Sequence, residues 1–307
     1  MEILLNPQLW SSTLTLAVPL GFAALGGVFS ERAGVVNVAL EGMMAIAAFV
    51  AVAFSALTNN PWLGLLAAMV TGALVAALFA WAVVYLRSDH IVTGLAVNIL
   101  ASGTAAFLFN VIYGPQGTPS NTPMMPTWTL PGIDRIPFIG GVLGHHQALD
   151  YLFFPVLIIS AWVLFRTPLG LRWRAVGESP RAADAAGVPV LRVKFWAVVA
   201  AGVVCGLGGA DLSIGILNSY SPGMVAGRGF IALAAVIFGN WLPYRSFLAA
   251  LLFGFATALA FQLESSLTIA KNLILMLPYL ATIVALTGFV GRTRPPAADG
   301  EPYDPGR

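Results

Sequence analysis

Apolar residues run along this chain in stretches far longer than any soluble helix requires. Charge-free segments extend over 3–30, 42–86, 91–133, 151–165, 195–210, 246–263 and 272–291. A membrane-crossing helix takes about 20 mostly apolar residues. The 42–86 run is too long for one span, and Asn59-Asn60-Pro61 divides it as a turn. The pattern therefore predicts helices over 9–30, 34–57, 62–86, 91–113, 151–166, 194–217, about 224–242, 246–263 and 272–290. Glycines at 223, 227 and 229 beside Arg228 make 224–242 a poor lipid-facing helix. A broken or re-entrant segment near 218–242 is expected instead, since such backbone survives at membrane depth only when protein or a wet cavity surrounds it. The fold class is all-α, a polytopic transmembrane bundle of about 8–10 helices.

Composition sharpens this. Apolar residues make up 58% of 307 positions and charged residues 9%, against roughly a quarter charged in soluble domains. Lipid must cover most of the surface. A net charge of +2 gives no electrostatic case for nucleic acid. Cys205 is the single cysteine, so no internal disulfide or cysteine metal cluster can form. The start MEILLNPQLW has no basic region before its apolar stretch, and we read it as a retained span, not a cleaved signal.

Basic residues set the expected orientation. Arg166, Arg172, Arg174, Arg181, Arg192 and Lys194 crowd 166–194, whereas 114–150 holds Arg135 alone. Thus 166–194, Arg87, Arg245 and the C-terminus should be cytoplasmic, with 114–150 and the N-terminus outside. Residues 1–294 form the transmembrane domain, and the polar, proline-rich 295–307 should be a disordered cytoplasmic tail. His90, His145 and His146 are expected to be solvated loop residues. Gly202 and Gly206, a small-x-x-x-small pair, should pack two helices closely within one bundle.

No phosphate loop, H-E-x-x-H, triad or paired-carboxylate site occurs. The chain should bind no cofactor and catalyse no reaction itself. The most informative stretch is Glu178 to Pro189, written as a short helix: Ser179 at the cap, Pro180 at the first position, Gly187 past the end and Pro189 as a stop. Arg181 and Asp184 share one face. So short a helix is marginal alone. It is either a stiff connector lying on its own membrane domain or a dock for a partner below the membrane.

Polar residues inside spans are the other candidates. Glu41 lies four residues after Asn37 in the second span, and an acid at a helix centre costs roughly 2.5–3.5 kcal/mol. It should face the bundle, bracing helices with Asn37 or Arg32 or lining a pathway. Asn98, Ser102 and Asn110 repeat at four- and eight-residue spacing on one face of the fourth span; Asp211, Ser213 and Asn218 end the sixth. Hydrogen-bonding groups of this kind suit a polar cargo, and each also serves as structural glue.

Three stretches carry a family resemblance. Gly170 to Gly187 (GLRWRAVGESPRAADAAG) resembles the coupling loop of permease subunits of bacterial ABC importers of the branched-chain amino acid, simple sugar and nucleoside group. Glu31 to Met44 (ERAGVVNVALEGMM) looks like the N-terminal signature of its sugar and nucleoside branch, and Gly227 to Gly239 (GRGFIALAAVIFG) is similar to a third family segment. Ala33, Ala39 and Ser179 depart from the usual Ser, Gly and Asn. The resemblance implies a type II-like permease of the bacterial inner membrane with a coupling loop over 167–193. It implies a second permease subunit, two ATP-binding subunits that carry ATP and Mg, and an external substrate-binding lipoprotein. It is closest to the nucleoside branch; alternatives are a ribose-like sugar permease, or an ion-coupled secondary transporter using Glu41 and Asp211. Coupling would rest on Glu178, Ser179, Pro180, Arg181, Asp184 and Gly187.

Overall fold

The computed structural model describes residues 6–114, 122–132, 136, 138–266 and 293–304. The expected 272–290 span lies outside them. In chain order the elements are α1 (Pro7–Arg32), α2 (Leu40–Thr58), α3 (Pro61–Ala80), α4 (His90–Tyr113), β1 (Thr127–Thr129), α5 (Ile139–Leu143), β2 (His145–Gln147), α6 (Ala148–Arg166), α7 (Pro168–Glu178), α8 (Pro180–Ala185), α9 (Val190–Ala210), α10 (Arg228–Phe238) and α11 (Pro243–Ser266). α3 and α9 run on as π-helical turns over Trp81–Tyr85 and Asp211–Leu217. Among the described residues, seven helices are long and apolar enough to cross a membrane.

Local chemistry fixes the starts. Asn6 and Asn60 accept from the amides of Gln8 and Trp62, each ahead of a first-position proline. Asp89 caps α4 through the amides of Ile91 and Val92. α2 starts at Leu40, six residues later than expected at 34, because Gly34 is left-handed (φ 79°) and Asn37 turns the chain by accepting from the amide of Ala39.

α1 and α9 are the centre of the bundle. The inner stretch of α1 is buried from Ala17 to Glu31. α9 presents glycines to its neighbours: a methyl at Gly202 or Gly206 would overlap α3, and one at Gly209 would overlap the backbone of α2. The glycine pair therefore packs helices within one bundle, where dispersion contacts between close backbones replace the hydrophobic effect that lipid does not supply. α4 lies outermost, with Ile91, Val92, Leu95, Ile99 and Phe107 exposed.

The two faces differ. Pro7 at the start of α1 lies against Gly141 of α5, beside the β1–β2 hairpin that pairs Trp128 with His146. The opposite face gathers Arg32, Arg87, α7, α8 and the C-terminal segment. The basic loops thus share one side, as expected from their charge.

Two expectations fail here. Residues 295–304 are not disordered: the amide of Ala298 donates to Gly177, the Tyr303 hydroxyl donates to Asp184 (2.8 Å), and Arg87 pairs with Asp304 (3.0 Å). A polar segment needs no hydrophobic core when backbone and side-chain acceptors wait on the surface it crosses. His90 and His146 are buried, not solvated. His146 sits between the Val142 carbonyl (2.6 Å) and Asp150 (3.1 Å), which together satisfy both ring nitrogens.

Candidate functional site

The Glu31–Met44 segment and the broken segment meet. Glu41 stands in the first turn of α2, not at a span centre. Its Oε1 accepts from the amide of Gly227 (2.8 Å) and its Oε2 from that of Gly229 (2.7 Å). These are orphan donors at the start of α10, where the helix dipole also favours a carboxylate. A methyl on Gly229 would overlap the Glu41 backbone, so glycine admits this approach. At the far end of α10, the Trp241 indole donates to Glu31, and the Arg32 guanidinium donates to the carbonyls of Trp241 (2.8 Å) and Asn240 (3.4 Å). Both ends of an eleven-residue helix are therefore held by one stretch of chain. Between α9 and α10 the chain is irregular and anchored at two points: Tyr220 is buried against Phe49 and Phe109, at 5.4 and 5.3 Å between ring centres, and Val225 is buried, while Asn218, Ser221, Pro222, Gly223 and Ala226 are exposed. Asn37 and Arg32, the expected partners of Glu41, bond elsewhere.

The 167–193 loop stands on this assembly. Its first half is a helix, α7, that the hydrophobic pattern left as loop. Trp173 is buried against Phe29, Arg174 lies over the Phe165 ring, and a methyl at Gly177 would overlap the carbonyl of Arg32. α8 follows after Ser179, whose side chain makes no capping bond; Pro180 starts the helix and left-handed Gly187 (φ 81°) ends it. Ala183 faces inward, while Arg181 and Asp184 are exposed. The loop thus rests on the helix bundle and presents a polar outer face.

The profile of the branched-chain amino acid transport system permease component matches residues 9–286. The chain belongs to this family. The permease is 42% identical to the guanosine ABC transporter permease protein NupQ of Bacillus subtilis, over 96% of each chain. It is 41% identical to the nucleoside ABC transporter permease protein NupC of Lactococcus lactis subsp. cremoris, over 95% of each. In fold it is similar to a solved metal-chelate type ABC transporter in an inward-facing conformation, with a TM-score of 0.50 at 18% identity, over 90% of this chain and 85% of that one.

The polar residues proposed for a pathway do not form one site in the permease. Asn98 is a brace: it accepts from the Gly42 amide (2.7 Å) and donates to the Val38 carbonyl (2.8 Å). Ser102 is half-buried and Asn110 exposed, because eight helical residues turn the face by about 80°. Ser213 bonds the carbonyls of Gly209 and Ala210 within its own turn, and Asn218 is exposed in a left-handed conformation. Asp211 is fully buried, and no described protein donor reaches either carboxylate oxygen.

Sequence reasoning missed several residues. Lys194 is buried, and its ammonium donates to the carbonyls of Gly34 and Glu301, both at 3.1 Å. A lone lysine at the start of an apolar span was the available signal. On the opposite face, a cavity of about 560 Å³ is lined by Gln8, Ser11, Ser12, Thr15 and Phe261. Four of those are polar residues in the first turns of α1, a cluster the apolar pattern passed over.

Proposed function

We propose that this permease is the membrane-spanning subunit of an ATP-driven importer whose cargo is a nucleoside. The full-length similarity to a guanosine permease carries the cargo assignment. The amide and hydroxyl groups beside Phe261 in the outer cavity suit a ribose and a base plane. In this reading the face with α7 and α8 is cytoplasmic, and the permease sits in the bacterial inner membrane. A second permease subunit covers part of the apolar face. Two ATP-binding subunits holding ATP and Mg grip Glu178, Ser179, Pro180, Arg181, Asp184 and Gly187, and an external lipoprotein delivers cargo. ATP hydrolysis belongs to those subunits. Asp211, Ser102, Asn110 and Asn218 remain pathway residues in this proposal, while Asn37, Glu41, Asn98 and Ser213 hold the frame. An ion-coupled mechanism through Glu41 is disfavoured, because both its carboxylate oxygens are engaged by backbone amides.

Labelled guanosine uptake into proteoliposomes carrying the whole complex tests this. ATP-dependent accumulation supports the reading. Equal uptake without ATP, or uptake driven by an ion gradient, overturns it.

A further inference from the structure

The C-terminal segment crosses the coupling loop and touches it repeatedly. The Ala297 amide donates to Glu178 (3.3 Å), the Ala298 amide to Gly177 (2.9 Å), and the Tyr303 hydroxyl to Asp184 (2.8 Å). Below them the Glu301 carbonyl accepts from buried Lys194, and Asp304 pairs with Arg87 at the turn before α4. Tyr303 is buried and packs with Val176, Ala183 and Val190, so the segment fills the angle between α7, α8 and α9. Between segment and loop lies a cleft of about 550 Å³, lined by Arg87, Glu178, Arg181, Glu301 and Asp304 among others. It opens beside the exposed face of α8 and carries charges of both signs. The side chains of Glu178, Arg181 and Glu301 are exposed.

We propose that the surface docking an ATP-binding subunit is composite, formed by α7 and α8 together with residues 297–304. The segment holds the coupling helices on the membrane domain and supplies one wall of the cleft that receives the partner. A six-residue helix makes few internal hydrogen bonds and transmits force only as well as it is anchored. Its anchors here are the Tyr303–Asp184 bond, the amides on Gly177 and Glu178, and the Lys194 bond below. The cleft is continuous with the α8 face, so a partner seated on Arg181 also meets Glu301. This inference rests on the proposed coupling to an ATPase.

Thiol protection in the reconstituted complex separates the two. Arg181→Cys and Glu301→Cys are made singly in a Cys205→Ala background and labelled with an impermeant maleimide, with and without the ATP-binding subunits. Protection of both positions is the expected result. Protection of Arg181→Cys alone overturns the composite surface and leaves coupling through α8 standing; protection of neither overturns both. A second readout is Tyr303→Phe, which removes one hydrogen bond and leaves the ring packed. Uptake per ATP hydrolysed should fall several-fold, within the range usual for coupling between sites, while the ATP-binding subunits still co-purify. An unchanged ratio contradicts the anchoring role.

Discussion

α8 and α10 are both too short to stand alone, and the permease holds them in opposite ways. α10 lies against the bundle with Gly229, Ala232, Ala235 and Val236 buried and Phe230 and Ile237 exposed, its amino end on the Glu41 carboxylate and its carboxyl end on Glu31 and Arg32. Every one of those contacts comes from the last turn of α1 or the first turn of α2. α8 lies on the surface, anchored on its inner side by Ala183 and by the C-terminal segment, with its outer face open. Charge-assisted bonds that are buried at Glu31 and half-buried at Glu41 and Arg32 are costly to remove. Surface bonds hold an element loosely enough to move with a partner. The segment around α10 is thus tied at both of its ends, whereas α8 is tied on its inner side only.

Glu41→Leu should break that contrast most. It removes a carboxylate from two helix-start amides and leaves both unpaired, at about 1–3 kcal/mol each. Folded yield and thermal unfolding temperature should fall sharply, while Glu41→Gln, which keeps one acceptor, should fall less. Equal behaviour of the two would show that the amides find other partners. Trp241→Phe should follow, at about 1–3 kcal/mol, because Glu31 loses its indole donor at a buried position. By comparison, Arg181→Glu on the open face should alter stability by no more than about 0.5 kcal/mol, yet abolish coupled uptake.

A smaller effect is expected on the opposite face. Burial alone would lower the pKa of His146, but its bonds to Asp150 and the Val142 carbonyl outweigh this and raise it above 6.5. The protonated ring is therefore bound more tightly in the folded chain. Its stabilisation is full below pH 6.5 and is lost as pH rises through the raised value. His146→Gln should flatten that part of the stability–pH profile, and should leave the coupling ratio untouched. A profile that keeps its slope in the variant would assign the titration to another group.

The spans were legible because lipid demands long apolar runs, and the broken segment because glycines and Arg228 interrupt one. α7 was not, since Arg172 and Arg174 alternate with Trp173 and Val176 in a helix that lies on a surface instead of crossing lipid. Glu41 reads from the sequence as bundle-facing, either a brace or a pathway residue; the partners it finds, the Gly227 and Gly229 amides, lie 186 and 188 residues away, beyond any local spacing rule. Polarity and helical spacing single out eight candidate pathway residues, and both mark helix bracing as readily as cargo contact: Asn98 binds two backbone groups at the α2 start, and Ser213 binds its own turn. The ordered tail escaped because composition reports the lack of a hydrophobic core and says nothing of waiting acceptors such as Gly177 and Asp184.

In the proposed function, the face carrying α8 couples ATP hydrolysis on partner subunits to import. The most direct measurement is guanosine taken up per ATP hydrolysed in proteoliposomes, for the native complex and for Arg181→Glu at matched permease content. The native complex should accumulate guanosine only with ATP, and the variant should insert normally yet show little uptake for whatever ATP is consumed. A variant with the native ratio would contradict the account.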